Sequence, residues 1–159
     1  ESRPPKGGRS TTKCDPCGLG RPRDCAGPAM THPRRLLPGV THAITRRTAN
    51  RCLFLTPTDF VNDVTAYCLG LAAQRYAEET RLLAFMSEVT HYHMNLTDTH
   101  RKGELSRVPD FMRDMNSNLA RALNAHYGRG DSFWCGGSYS NTEIHTERSL
   151  VRQLLYVWA

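Results

Sequence analysis

The sequence predicts an α/β or α+β sandwich built around one sheet. Strand-like and helix-like stretches alternate from Val40 onward. The helical stretches repeat apolar residues at 3.6-residue spacing, and one strand alternates strictly between polar and apolar positions, as a sheet with one covered face requires. A chain of 159 residues suits one domain of ordinary size.

Val40-Thr-His-Ala-Ile-Thr-Arg47 is β-prone, and Leu53-Phe54-Leu55 reads as its continuation. Pro57-Thr58-Asp59 then opens a helix whose apolar positions are Phe60, Val61, Val64, Tyr67, Cys68 and Leu71. Leu82 to Val89 is a buried strand that leads into Thr90-His-Tyr-His-Met-Asn-Leu-Thr97. After a polar loop from Asp98 to Arg107, Pro109-Asp110 starts a second helix. Its stripe is Phe111, Met112, Met115, Leu119, Ala122 and Leu123, and Gly128 closes it. Gly130 to Asn141 reads as a loop, with Phe133 and Trp134 docking it on the body more readily than stacking on a base. A last helix begins at Thr146-Glu147. Cys52, Cys68 and Cys135 read as core or loop thiols, and His42, His100, His126 and His145 have no partner that singles them out.

Residues 1–39 differ in kind from the rest of the chain. They hold seven of the nine prolines and six of the twelve glycines, too little apolar surface to offset the entropy of ordering them, so a disordered or irregular tail is expected. Most of the net charge of +6 lies there: eight Lys/Arg against three acids before residue 40, thirteen against twelve after it. Basicity is therefore weak evidence that the folded part, residues 40–159, binds nucleic acid. Cys14, Cys17, Cys25 and His32 can be written as a Cys3His zinc site, or as incidental residues of a flexible segment. Met30 looks like a natural start, which would make residues 1–29 upstream sequence. No apolar run approaches the roughly 18–20 residues of a bilayer-spanning helix. Without a secretory signal, reduced thiols and a cytoplasmic location are expected, and no membrane partner.

Chemistry concentrates at His91-x-His93. On a strand, His91, His93, Asn95 and Thr97 share one face and Tyr92, Met94 and Leu96 the other, so the two imidazoles can converge on one cation. Two histidines on a half-exposed strand are also compatible with no ligand at all. On the last helix, Leu150, Val151, Leu154, Leu155 and Trp158 form an apolar stripe, and Tyr156 projects nearly opposite it, beside Ser149, Arg152 and Gln153. That is either a surface aromatic or a phenol directed at a target. A two-histidine metal site with a tyrosine from a separate helix suits attack of a phenolate on a phosphodiester.

Three stretches resemble the HUH-type single-tyrosine transposases, especially the REP-associated branch. Gly39-Val-Thr-His-Ala-Ile-Thr-Arg-Arg-Thr48 is similar to that family's opening strand, and Phe85-Met-Ser-Glu-Val-Thr-His-Tyr-His-Met-Asn-Leu96 to its His-hydrophobic-His strand. Leu154-Leu-Tyr-Val-Trp-Ala159 is similar to the helix that carries the nucleophile, which Asn-Pro normally follows. The resemblance implies a ferredoxin-like sandwich with an antiparallel sheet, helices on one face and the HxH pair on the open one. It implies His91 and His93 as metal ligands and Tyr156 as the nucleophile that cuts single-stranded DNA near a hairpin, leaving a 5′-phosphotyrosine and a free 3′-OH. The implied cation is Mg2+ or Mn2+, where ligand softness alone would point to zinc.

The chain stops at Ala159, before the Asn-Pro, so a C-terminally truncated domain is expected, with a third metal ligand lying beyond Ala159. Arg46, Arg47 and Arg51 cluster at the end of the first strand, where they form a seat for a DNA phosphate or a solvated basic turn. The competing reading is a module that binds hairpin DNA without cutting it. Both a monomer and a homodimer fit the resemblance.

Overall fold

A computed structural model describes residues 36–158. The Cys14, Cys17, Cys25 and His32 set, the start at Met30, nearly all of the 1–39 tail and Ala159 lie outside the described residues. The elements run β1 (Thr41–Arg47), α1 (Asp59–Arg75), β2 (Thr80–Glu88), β3 (His91–Asp98), α2 (Val108–His126), β4 (Ser140–Ile144) and α3 (Glu147–Trp158). The strands form one sheet in the order β2-β3-β1-β4, every neighbour antiparallel. This βαββαβ arrangement with β1 and β3 central is the expected ferredoxin-like sandwich, extended by α3.

One face of the sheet carries the core. Ile44, Tyr92, Met94 and Leu96 pack with Val61, Cys68 and Ala72 of α1 and with Phe111, Met112, Met115, Leu119 and Leu123 of α2. The Oγ1 of Thr58 accepts from the Val61 amide and caps α1. Pro109 and Asp110 stand in the first turn of α2, and Gly128 follows its end at φ +62°, a conformation glycine adopts without steric cost. Phe133 and Trp134 are buried packing anchors. The Phe133 carbonyl accepts from the Ala49 amide, and the Trp134 indole donates to the Asn116 carbonyl.

The other sheet face is crossed by α3, which packs on β2, β3 and β4, so the HxH face is partly roofed. The apolar stripe expected for α3 is split. Val157 is buried and Leu150 and Leu154 are half-buried, but Val151, Leu155 and Trp158 are exposed, Trp158 at 74%. The helix lies over the sheet's polar side and so turns Tyr156 and Gln153 toward hydroxyl-bearing strands rather than pressing its whole apolar stripe down. A similar split occurs in α1. Val61, Thr65, Cys68 and Ala72 face the core, while Phe60, Tyr67 and Leu71 are exposed, Phe60 stacking on His126.

Two segments depart from the sequence-based expectation. Leu53-Phe54-Leu55 does not continue β1, because a short turn at Ala49–Arg51 redirects the chain, with Asn50 and Arg51 at φ 52° and 56°. Phe54 and Leu55 then plug the core. Ser140–Ile144, whose first two residues fall in the expected loop and whose last three carry no strand signal, pairs with β1 as an edge strand. Its polar composition, Ser-Asn-Thr-Glu-Ile, has no apolar alternation to announce it, and its pairing partner supplies the order instead.

Candidate metal and nucleophile site

β2 and β3 are joined by the two residues Val89 and Thr90, so Glu88 stands directly opposite His91. Paired residues share a sheet face, and Glu88, His91 and His93 therefore project together. Their ligating atoms all lie within 4.8 Å of one another. The Nε2 atoms of His91 and His93 are 3.4 and 3.7 Å from the Glu88 Oε1. Their rings meet edge-on at 4.8 Å.

Each imidazole is held from behind. Thr45, opposite His93 on β1, places its Oγ1 2.9 Å from the His93 Nδ1. The Oγ1 of Thr90 is 3.1 Å from the His91 Nδ1. This leaves Nε2 as the free ligand atom of both rings, and that of His93 is buried without a hydrogen-bond partner among the described residues. Burial foremost, then the neighbouring His91 and Arg47, push the His93 pKa below the ordinary histidine value, against the opposing pull of Glu88. A neutral imidazole with an unspent lone pair is what a cation requires. Two imidazole nitrogens and a carboxylate oxygen form a donor set that fits a divalent metal ion.

Tyr156 comes to the same place from α3. Its ring meets that of His93 edge-on, with centroids 5.3 Å apart, and the side chain remains half exposed. Beside it a cleft of about 510 Å3 opens between α3 and the β1–β4 edge, lined by Thr45, His93, Thr142, Ser149, Arg152 and Tyr156 among others. The structure thus brings His91, His93 and Tyr156 together, with the phenol lining the cleft.

The three arginines part company. Arg47 pairs in register with His91, shares its sheet face and is exposed. Arg51 is exposed on the left-handed turn that follows. Arg46 is on the opposite face, where its guanidinium lies 5.9 Å from the centre of the Trp134 ring and donates to the Gly137 carbonyl. Sequence reasoning missed Glu88, although the spacing held a signal. A two-residue turn between antiparallel strands sets positions 88 and 91 side by side.

The fold is that of known transposases. A REP-associated tyrosine transposase bound to a REP hairpin superposes with a TM-score of 0.60 at 14% identity, over 81% of this chain and 71% of that one. A candidate transposase from Deinococcus radiodurans R1 superposes with a TM-score of 0.51 at 18% identity, over 81% of this chain and 96% of that one. No family model and no curated protein matches the sequence. Among the described residues no helix is long and apolar enough to cross a membrane.

Proposed function

We propose that the chain is a transposase-like, metal-dependent DNA strand-transferase that nicks single-stranded hairpin DNA through a phosphotyrosine. The observation that carries this reading is the meeting of Tyr156, on a helix remote in sequence, with His93 at the edge of the Glu88–His91–His93 cluster. The shared fold with a transposase bound to a hairpin supports the choice of substrate.

In this reading His91, His93 and Glu88 would hold a divalent cation, Mg2+ or Mn2+. Bound there, such an ion would supply a positive charge to polarise the scissile phosphate and offset its developing charge. The Tyr156 Oη bonds to phosphorus as the bond to the 3′ oxygen breaks, its proton passing to solvent while the leaving 3′ oxygen takes one up. The products are a 5′-phosphotyrosine and a 3′-OH. Arg47, on the sheet face of His91, and Arg51, on the turn that follows, hold the strand's backbone, while Arg46 packs on Trp134 at the other face of the sheet.

The test is incubation with Mn2+ and a 3′-labelled hairpin oligonucleotide drawn from repeats flanking the source locus, followed by a denaturing gel. A labelled protein band that vanishes in Tyr156→Phe and in His93→Ala is the expected result. Salt-sensitive hairpin binding with no band would replace the enzyme with a binding module. A band that persists in Tyr156→Phe would move the nucleophile elsewhere.

A further inference from the structure

We infer that Thr45 and Thr90 are positioning residues that aim the two imidazoles, so that only their Nε2 atoms are offered to a cation. The inference rests on the metal reading of the Glu88–His91–His93 cluster and adds a role for two side chains outside the ligand set.

A histidine on a strand turns broadly about its outer torsion, and a half-turn exchanges Nδ1 with a ring carbon. A bond at Nδ1 removes that freedom. His93 has such a bond to Thr45 at 2.9 Å, and His91 has one to Thr90 at 3.1 Å. The two threonines reach the rings from different places, Thr45 across the β1–β3 pairing and Thr90 from the hairpin turn, yet both meet Nδ1. Both threonines are themselves held in place. Thr45 is β-branched and confined within a central strand, which restricts its own side-chain torsion. The Thr90 carbonyl accepts from both the amide and the hydroxyl of Thr48, at 2.9 and 3.0 Å, which clamps the turn to the end of β1.

A hydroxyl is suited to this task because it both donates and accepts. When Nε2 gives its lone pair to a cation, Nδ1 carries the ring proton and donates to the threonine oxygen. When Nε2 keeps the proton, the hydroxyl donates to Nδ1. The ring can load or release a cation without turning. A valine at either position keeps the branched shape and deletes the bond.

The experiment titrates Mn2+ into the whole protein and follows the electron paramagnetic resonance signal of the free ion. Thr45→Val and Thr90→Val are each expected to weaken binding roughly tenfold, the usual cost of losing a hydrogen bond behind a metal-bound histidine. Thr45→Ser and Thr90→Ser, which retain the hydroxyl, are expected to bind like the parent. Nitrogen NMR of the metal-free protein gives a readout apart from the ion, with the His93 ring-nitrogen shifts moving in Thr45→Val while backbone shifts away from the site stay in place. Valine variants that bind Mn2+ as tightly as the parent would overturn the positioning role and leave the metal reading standing. A parent protein that takes up no Mn2+ would overturn the metal reading, and the positioning role with it.

Discussion

At the scale of single residues, neighbours in sequence divide between chemistry and structure. Arg46 and Arg47 are adjacent, yet strand alternation sends one to the Trp134 ring and the other to the His91 side of the sheet. Arg46→Ala is therefore expected to lower unfolding free energy by about 1–2 kcal/mol, through loss of the cation–π contact and the bond to Gly137. Arg47→Ala is expected to leave the denaturation midpoint near that of the parent and to weaken hairpin binding, with a shallower dependence on salt. Chemical denaturation and anisotropy titrations at several salt concentrations separate the two, and equal destabilisation by both would contradict the division. Glu88→Gln keeps the shape of the side chain but removes its charge, so Mn2+ affinity measured by calorimetry should fall roughly tenfold or more. An unchanged affinity would remove Glu88 from the ligand set.

At the scale of elements, α3 is the weakly held part. It brings Tyr156 to the site but buries only Val157 fully, with Leu150 and Leu154 half in. Val157→Asp forfeits about 1.5–3 kcal/mol of apolar burial and adds a charge under the helix. Hydrogen exchange should then show α3 amides losing protection while β3 stays protected, and the DNA adduct should fall with it. Loss of protection throughout the sheet would show instead that α3 is integral to the core. How far the sequence disclosed these elements depends on how each is packed. β3 was legible because one of its faces is core and the other is not, and α2 because its stripe is buried along its whole length. β4 was not, since an edge strand of polar residues draws its order from β1. Val151, Leu155 and Trp158 misled for a related reason: periodicity reports an apolar stripe, and only the tertiary structure reports which part of it is covered. The juxtaposition of His91 and His93 was legible from strand alternation. Glu88 needed the turn length, and Thr45 needed the register of a strand far away in sequence.

At the scale of the molecule, the far end of the sheet holds a buried histidine. His42 is fully enclosed, and among the described residues neither ring nitrogen has a hydrogen-bond partner of ordinary geometry, nor has the nearby Asn141 Oδ1. Burial lowers the His42 pKa, with Asp98 and Glu143 opposing and His145 adding slightly to the lowering. The folded value thus lies below the roughly 6.5 of the unfolded chain, which takes up the proton first as pH falls. Stability from this group is complete above about pH 6.5 and is lost between that pH and the lower folded value. Urea denaturation at pH 7.5 and 5.5 should show the loss, and His42→Leu should reduce the difference between the two pH values. An identical difference in His42→Leu would assign the acid sensitivity elsewhere.

The two-residue turn between β2 and β3 gives the two halves of the site unequal exposure to mutation. Glu88, His91 and His93 fall within one short hairpin, and closing so small a loop costs little entropy. Tyr156 reaches them only after the chain has passed through α2, β4 and the loop between them. Changes scattered through the second half of the chain can therefore displace Tyr156 while sparing the Glu88–His91–His93 cluster. A lineage accumulating such changes would be expected to keep the three-residue cluster longer than its meeting with Tyr156.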